Sequence, residues 1–177
     1  MTKQDLAGKI AAAAFLKGSF KLRSGRTSSV YWDKYRFESD PKLLSAIATE
    51  LVRILPGSYD YLAGMELGGI PLATALSLQT GKLCLYVRKA AKEYGTCNLV
   101  EGAFKPGDRT VVIEDVITTA GQVCTSIEQM RALGLKVNHV LCVVDREEGG
   151  RENLARIGCD LRSLFRQSDL EASADRT

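Results

Sequence analysis

Residues 111–121, Val-Val-Ile-Glu-Asp-Val-Ile-Thr-Thr-Ala-Gly, restrict what this chain can fold into more than any other segment does. Val111, Val112 and Ile113 are β-branched without interruption, the pattern of a strand covered on both faces in a parallel sheet. Glu114 and Asp115 then fall at the carboxyl end of that strand, where open α/β sheets place their ligands. Thr118, Thr119 and Gly121 lead into a helix predicted over 122–133, whose unpaired N–H groups and positive dipole end suit a phosphate. Two carboxylates beside such a cradle can accept hydrogen bonds from the paired hydroxyls of a ribose. A strand end followed by a capped helix is the plainer reading of the same residues. Neither GxGxxG nor GxxxxGKS/T occurs, which excludes the two common nucleotide fingerprints.

Helical and strand-like segments alternate around this run, which predicts an α/β fold with a central, mostly parallel sheet flanked by helices. Strands are expected over 59–63, 83–88, 110–115, 140–145 and 161–165, and helices over 41–54, 71–79, 122–133 and 151–157. Asp40-Pro41 pairs an N-cap residue with proline at the first helical position, and Gly134 supplies a stop after Leu133. Upstream, 19–26 and 28–33 read as a hairpin around Gly25, a small hood over the sheet. The apolar run 10–16 is short, Ala-rich and without a convincing cleavage site, so a packing helix is expected there rather than a signal peptide. A chain of 177 residues suits one well-buried domain, with a hood over 1–39, a core over 40–166 and a polar, frayed tail over 167–177.

The 24 basic and 21 acidic residues are interspersed, and their net charge of +3 gives no footprint for nucleic acid. No stretch approaches the roughly 20 apolar residues that span a bilayer, so a cytoplasmic protein is expected. The five cysteines form no CxxC pair, and Cys84 and Cys142 sit in apolar runs as reduced, buried thiols. His139, the only histidine, builds neither a triad nor a zinc site and reads as a strand-edge residue.

Two further segments carry chemistry. Gly64-Met65-Glu66-Leu67-Gly68-Gly69-Ile70-Pro71 follows a strand and opens a helix; its paired glycines let backbone approach an anion, and a plain turn fits them equally well. Arg88-Lys89-Ala90-Ala91-Lys92-Glu93-Tyr94-Gly95 puts three cations at the end of another strand, which alone would be a solvated basic turn.

The run from Val111 to Gly121 resembles the 5-phosphoribosyl-1-diphosphate (PRPP) motif of type I phosphoribosyltransferases: hydrophobic residues, Glu-Asp, a spacer and Thr-Thr-x-Gly. Together with Ser24-Gly25-Arg26-x-Ser28, Arg88-Lys89-x-x-Lys92-x-x-Gly95 and Val144-Asp145-Arg146-x-Glu148-Gly149-Gly150, it resembles the orotate phosphoribosyltransferases over residues 18 to 150. The resemblance implies transfer of ribose 5-phosphate from PRPP to orotate, giving orotidine 5-phosphate and diphosphate in UMP biosynthesis. It implies Mg²⁺ held mainly through PRPP, and a homodimer whose basic loop reaches the neighbouring site. By position, Arg88, Lys89 and Lys92 would contact the diphosphate, Glu114 and Asp115 the ribose hydroxyls, and Val116, Ile117, Thr118, Thr119, Ala120, Gly121 and Gln122 the rest of PRPP around its 5-phosphate. Thr118, Arg146 and Arg23 would touch orotate, and Lys92, Arg88 and Asp115 would carry catalysis. A planar guanidinium at Arg146 suits a flat base bearing carbonyl and carboxylate oxygens, with a surface ion pair as its plain alternative. Mobile cations closing over the diphosphate would stabilise the charge that develops as it leaves. The family's diphosphate loop often holds a non-proline cis peptide, expected here near Glu66-Leu67.

This sequence departs from commoner members at Ala120, where glycine is frequent, at Tyr94 in place of histidine, at Arg23 in place of lysine, and at Leu67-Gly68 in place of Tyr-Lys. A phosphoribosyltransferase for another base would share the phosphate motif but lack the Ser-Gly-Arg and Asp-Arg-x-Glu-Gly-Gly segments. A PRPP-sensing regulator on the same fold would typically carry an added nucleic-acid-binding domain and could lose the loop lysines.

Overall fold

The computed structural model describes residues 1–21, 25, 27–90 and 98–174, with only the backbone of Ser28, Val30 and Ala174. In chain order the elements are α1 (Lys3–Ala14), β1 (Phe15–Lys21), β2 (Thr27–Trp32), α2 (Tyr35–Glu38), α3 (Pro41–Val52), β3 (Tyr61–Met65), α4 (Gly69–Thr80), β4 (Leu83–Val87), β5 (Val100–Glu101), β6 (Arg109–Ile117), α5 (Gly121–Ala132), β7 (Lys136–Asp145), α6 (Gly150–Arg156), β8 (Asp160–Arg166) and α7 (Gln167–Ala174). Six strands form one sheet in the order β5-β4-β3-β6-β7-β8, parallel throughout except for the short antiparallel edge strand β5. The antiparallel pair β1-β2 forms a separate two-stranded sheet.

The uninterrupted apolar strands are explained by burial on both faces. Alternate residues of β6 divide between two cores: Val111 and Ile113 pack with α1, α3, α4 and α7 through Ile10, Ile47, Leu72 and Leu170, whereas Val112 packs with α5 and α6 through Ile127 and Leu154. Leu141 and Val143 against Val140 and Cys142 repeat this split in β7. A period of two with both faces covered makes the middle of each strand continuously apolar, as parallel sheets between helices demand.

Local signals set the helix starts. Asp40 caps α3, its carboxylate accepting the Lys42 N–H at 2.8 Å and the Leu43 N–H at 3.2 Å, with Pro41 at the first position. Thr2 and Asp5 form a reciprocal capping box on α1. The Glu66-Leu67 peptide is cis.

Several expectations are corrected. The polar stretch after 166 is not frayed through 174: it forms α7, because Leu170 is fully buried in the core shared with α1 and α3. The apolar run 10–16 is divided, since Phe15 and Leu16 leave the helix and start β1, where Phe15 meets Trp32 edge-on at 5.5 Å. The expected hairpin strand therefore begins four residues earlier than residue 19. β5 and the one-turn α2 have no counterpart in the sequence pattern, being too short to show periodicity. His139 lies inside β7, not before it, with Nδ1 at 3.7 Å from Asp160. Cys84, Cys124, Cys142 and Cys159 are free; Cys142 is fully buried as expected, whereas Cys84, expected to be buried too, is half-buried on β4. None of the described helices is long and apolar enough to cross a membrane.

Candidate active site

The parallel register brings the carboxyl ends of β4, β3, β6 and β7 together in that order, so four loops distant in sequence share one edge of the sheet. β6 delivers Glu114 and Asp115, β4 delivers Arg88 and Lys89, β7 delivers Arg146, and the turn from β3 to α4 delivers Glu66 to Gly68.

Asp115 is wholly enclosed, and its Oδ2 lies 2.6 Å from Lys34 Nζ. Glu38, only 6% exposed, stands beside it, its Oε1 without a hydrogen-bond partner among the described residues as long as it is an acceptor. Burial first, and then the hydrogen bond to Asp115 and that group's charge, push Glu38 up to about 9. A protonated Glu38 donates to Asp115, which removes the orphaned oxygen and the like-charge repulsion together. Glu114 is also held well above the usual carboxylate range by burial and by its hydrogen bond and charge interaction with Asp115. Burial opposes the Asp115 charge, but hydrogen bonding from Glu114 and Glu38 and the Lys34 ammonium outweigh it and leave Asp115 below its ordinary value. For Lys34, likewise, burial is outweighed by Asp115, and the ammonium is raised. Three carboxyls and one ammonium thus carry almost no net charge.

Gly68 makes this packing possible. A Cβ there would overlap Asp115 Oδ2 and come within 2.8 Å of Glu38 Oε1.

Two openings flank the acids. The larger, about 320 Å³, is lined by Tyr31, Trp32, Lys34, Phe37, Val116, Thr118, Val144, Arg146, Gln167 and Leu170. Arg146 is oriented there by Gln167 Oε1 at 2.9 Å and Glu148 Oε1 at 3.0 Å. Apolar walls with cationic and hydroxyl groups at the rim suit a flat, anionic ring. The smaller is a cleft of about 60 Å³ between Glu66, Arg88, Lys89, Glu114 and Gln122. Arg88 Nε is buried there without a hydrogen-bond partner among the described residues, and the Lys89 N–H is held by Glu66 Oε2 at 3.0 Å.

Between the openings runs the turn into α5. Ala120 adopts the left-handed conformation at φ 60° and caps the helix with no side-chain hydrogen bond, so the first N–H groups of α5 have no capping side chain. Thr119 is exposed and its carbonyl accepts Asn153 Nδ2 at 2.9 Å; Gly121 and Gln122 are exposed at the helix start. Ile117 has its side chain in the core, and its carbonyl accepts the Arg146 N–H at 2.8 Å. A Cβ on Gly150 would overlap Thr118 O, so that glycine seats α6 under the turn.

The structure therefore gathers Arg88, Lys89, Glu114, Asp115, Thr118, Thr119, Ala120, Gly121, Gln122 and Arg146 along one edge. Arg23, Lys92 and Tyr94 lie outside the described residues, as do Ser24 and Arg26. Sequence reasoning missed Lys34, Glu38 and Gln167. A cue existed for the first two: Lys34 and Glu38 are spaced i, i+4 just before the Asp40-Pro41 cap. Among the described residues no group of three His, Cys, Asp or Glu side chains could hold a metal. The acids near Gly68 fit that finding, since they share protons with one another and an ion pair with Lys34.

No family model matches the chain. It is 47% identical over 170 residues to the orotate phosphoribosyltransferase of Nocardioides sp., covering 96% of this chain and 95% of that protein. The crystal structure of orotate phosphoribosyltransferase from Aeropyrum pernix superposes with a TM-score of 0.82 at 36% identity, covering 100% of this chain and 99% of that one. The Mycobacterium tuberculosis enzyme in complex with PRPP superposes with a TM-score of 0.82 at 27% identity, over 96% and 98% of the two chains. Likeness of this extent, on a chain with this acid pair, uncapped helix start and basic strand end, places the protein in the orotate phosphoribosyltransferase family.

Proposed function

We infer that the chain is an enzyme transferring ribose 5-phosphate from PRPP to a ring nitrogen of orotate, releasing diphosphate in the synthesis of UMP. The observation that carries this reading is the placement of an aromatic-walled pocket bearing Arg146 and Thr118 directly beside the acid pair and the open start of α5. Such a site holds a flat acidic base next to a ribose 5-phosphate. Glu114 and Asp115 serve the ribose hydroxyls, the turn from Thr118 to Gln122 takes the 5-phosphate, and Arg88 with Lys89 meets the diphosphate. Arg23 would join Arg146 on orotate and Lys92 would join the cations on the leaving group. No covalent nucleophile is needed, because positioning and preorganised charge supply the rate.

Mg²⁺ is the cofactor of this reading, held through PRPP oxygens rather than by a protein cage, which suits a donor set already committed to Lys34 and shared protons. When bound it would neutralise diphosphate charge. The chain reads as a single cytoplasmic domain that works as a homodimer with a basic loop shared between sites; exposed Leu78, Leu83 and Tyr86 along α4 and β4 offer apolar surface for such a contact.

The test is diphosphate release from PRPP and Mg²⁺ with orotate, hypoxanthine or uracil in turn. Release with orotate alone is expected; release only with another base, or with none, would overturn the assignment.

A further inference from the structure

We propose that Lys34 and Glu38 are positioning residues for the transfer, gripping the Asp115 carboxylate from two sides and fixing it where the ribose is held. The proposal rests on the reading of Asp115 given above. Both residues belong to the connection between hairpin and core: Lys34 caps the single turn of α2 and Glu38 ends it, so the i, i+4 spacing turns both side chains to one face. That face meets Asp115. Lys34 Nζ lies 2.6 Å from Oδ2, while Glu38 is enclosed at the same carboxylate and opposite Gly68, whose missing side chain leaves room for both acids.

A buried carboxylate with only one cationic neighbour could swing toward it. The second contact prevents that, because a protonated Glu38 donates to Asp115 from another direction. The charged groups acting on Glu38 are Asp115 from β6, and Lys34 and Asp33 from its own segment. α1 and α3 pack on α2 within the apolar cluster that contains Phe37. Lys34 also lines the aromatic pocket, so the clamp joins the wall of the base site to the acid that serves the ribose. Neither residue need touch a reacting atom.

Steady-state kinetics of the full chain over about pH 6 to 10, with folding checked by circular dichroism and thermal midpoint, test this. Lys34→Met is expected to lower kcat/KM for PRPP about tenfold or more, as loss of a charge-assisted hydrogen bond does, and Lys34→Arg to recover part of it. The wild-type profile should fall on the alkaline side near pH 9 as Glu38 ionises, and Glu38→Gln, which keeps a neutral donor, should displace that fall. A folded Lys34→Met within about twofold of wild type, Lys34→Arg no better than Lys34→Met, or an unchanged alkaline limb in Glu38→Gln would each overturn the clamp. Asp115→Asn separates this from the underlying reading. If that variant keeps wild-type kcat/KM, the role of Asp115 itself fails; if it is impaired while Lys34→Met is not, only the clamp fails.

Discussion

Two turns open helices at the same edge of the sheet, and their sequences ask for the same interpretation. The turn at 66–68 before α4 and the turn at 118–120 before α5 both follow a strand and both carry small residues, the mark of backbone that an anion approaches closely. In the structure they differ. The space over Gly68 is filled by the protein's own acids, Asp115 and Glu38, whereas the turn at Ala120 leaves the start of α5 without a capping side chain. The position that needs glycine for room has it, and the position in the left-handed region carries alanine instead. A glycine in a sequence thus marks a close approach without saying whether a ligand or a neighbouring side chain is what approaches.

The largest effect should come from filling the first turn. Gly68→Ala forces a methyl into Asp115 Oδ2, which is expected to cost about 1–3 kcal/mol of stability as overpacking does. Displacing the acid pair by even part of an ångström should also reduce kcat/KM for PRPP by about a hundredfold. Urea denaturation and initial rates would measure both, and a Gly68→Ala variant as stable and active as wild type would show that the space is not occupied in this way.

A pH effect of intermediate size distinguishes the two turns by their titrating groups. Glu38, raised to about 9, and Glu114, also raised, keep protons in the folded protein that the unfolded chain gives up above about 4.5. Their contribution to stability is therefore full below that value and is lost as pH rises through the folded values. Asp115 acts in the opposite sense, contributing above about 3.8 and losing its contribution as pH falls through its lower folded value. Between about pH 5.5 and 8.5 the urea midpoint of the ligand-free protein should fall, and Glu38→Gln should flatten the slope. Identical slopes in the two proteins would remove Glu38 from the cause.

The smallest effect belongs to the second turn. Ala120→Gly relieves a left-handed alanine worth about 1–2 kcal/mol and adds chain entropy to the unfolded state, for a net gain of about 0.5 kcal/mol. That corresponds to a rise of roughly 1–2 °C in thermal midpoint for a chain of this size. A fall in midpoint would mean that the buried Ala120 methyl, packed in the core with Val123 and Ile127, outweighs the relief of its backbone.

Much of the fold can be read along the chain. Strands β3, β4, β6, β7 and β8 and helices α3, α4, α5 and α6 fall where the apolar runs, the Asp40-Pro41 cap and Gly134 place them, with ends shifted by a few residues. Longer shifts have a physical cause: β7 extends back to Lys136 because strand pairing with β6 continues past the apolar run, and 167–174 is helical because one leucine, Leu170, finds the core. Sequence also located the turn after β6 and Arg146 after β7, since each follows a strand the pattern had already found, whereas Glu114 and Asp115, expected at the strand's end, lie inside β6 because its pairing with β7 runs on to Ile117. Gln167 could not be found that way, because its place at the pocket comes from tertiary packing and from the hydrogen bond it accepts from Arg146, 21 residues away.

By itself the sequence determined which residues end the parallel strands, since alternation and burial on two faces are local properties of the chain. It therefore determined that carboxylates, cations and the turn into α5 meet at one edge. Only the tertiary structure decided the charge state of that edge. Lys34 and Glu38 look like surface residues in a charged stretch, and Asp115 looks like a free acid; packing α2 over β6 and against Gly68 buries Glu38 and Asp115 and leaves Lys34 half-buried against them. A carboxyl's ionisation depends on its solvation and on charges within a few ångströms, and neither is encoded in the order of residues until the chain has folded.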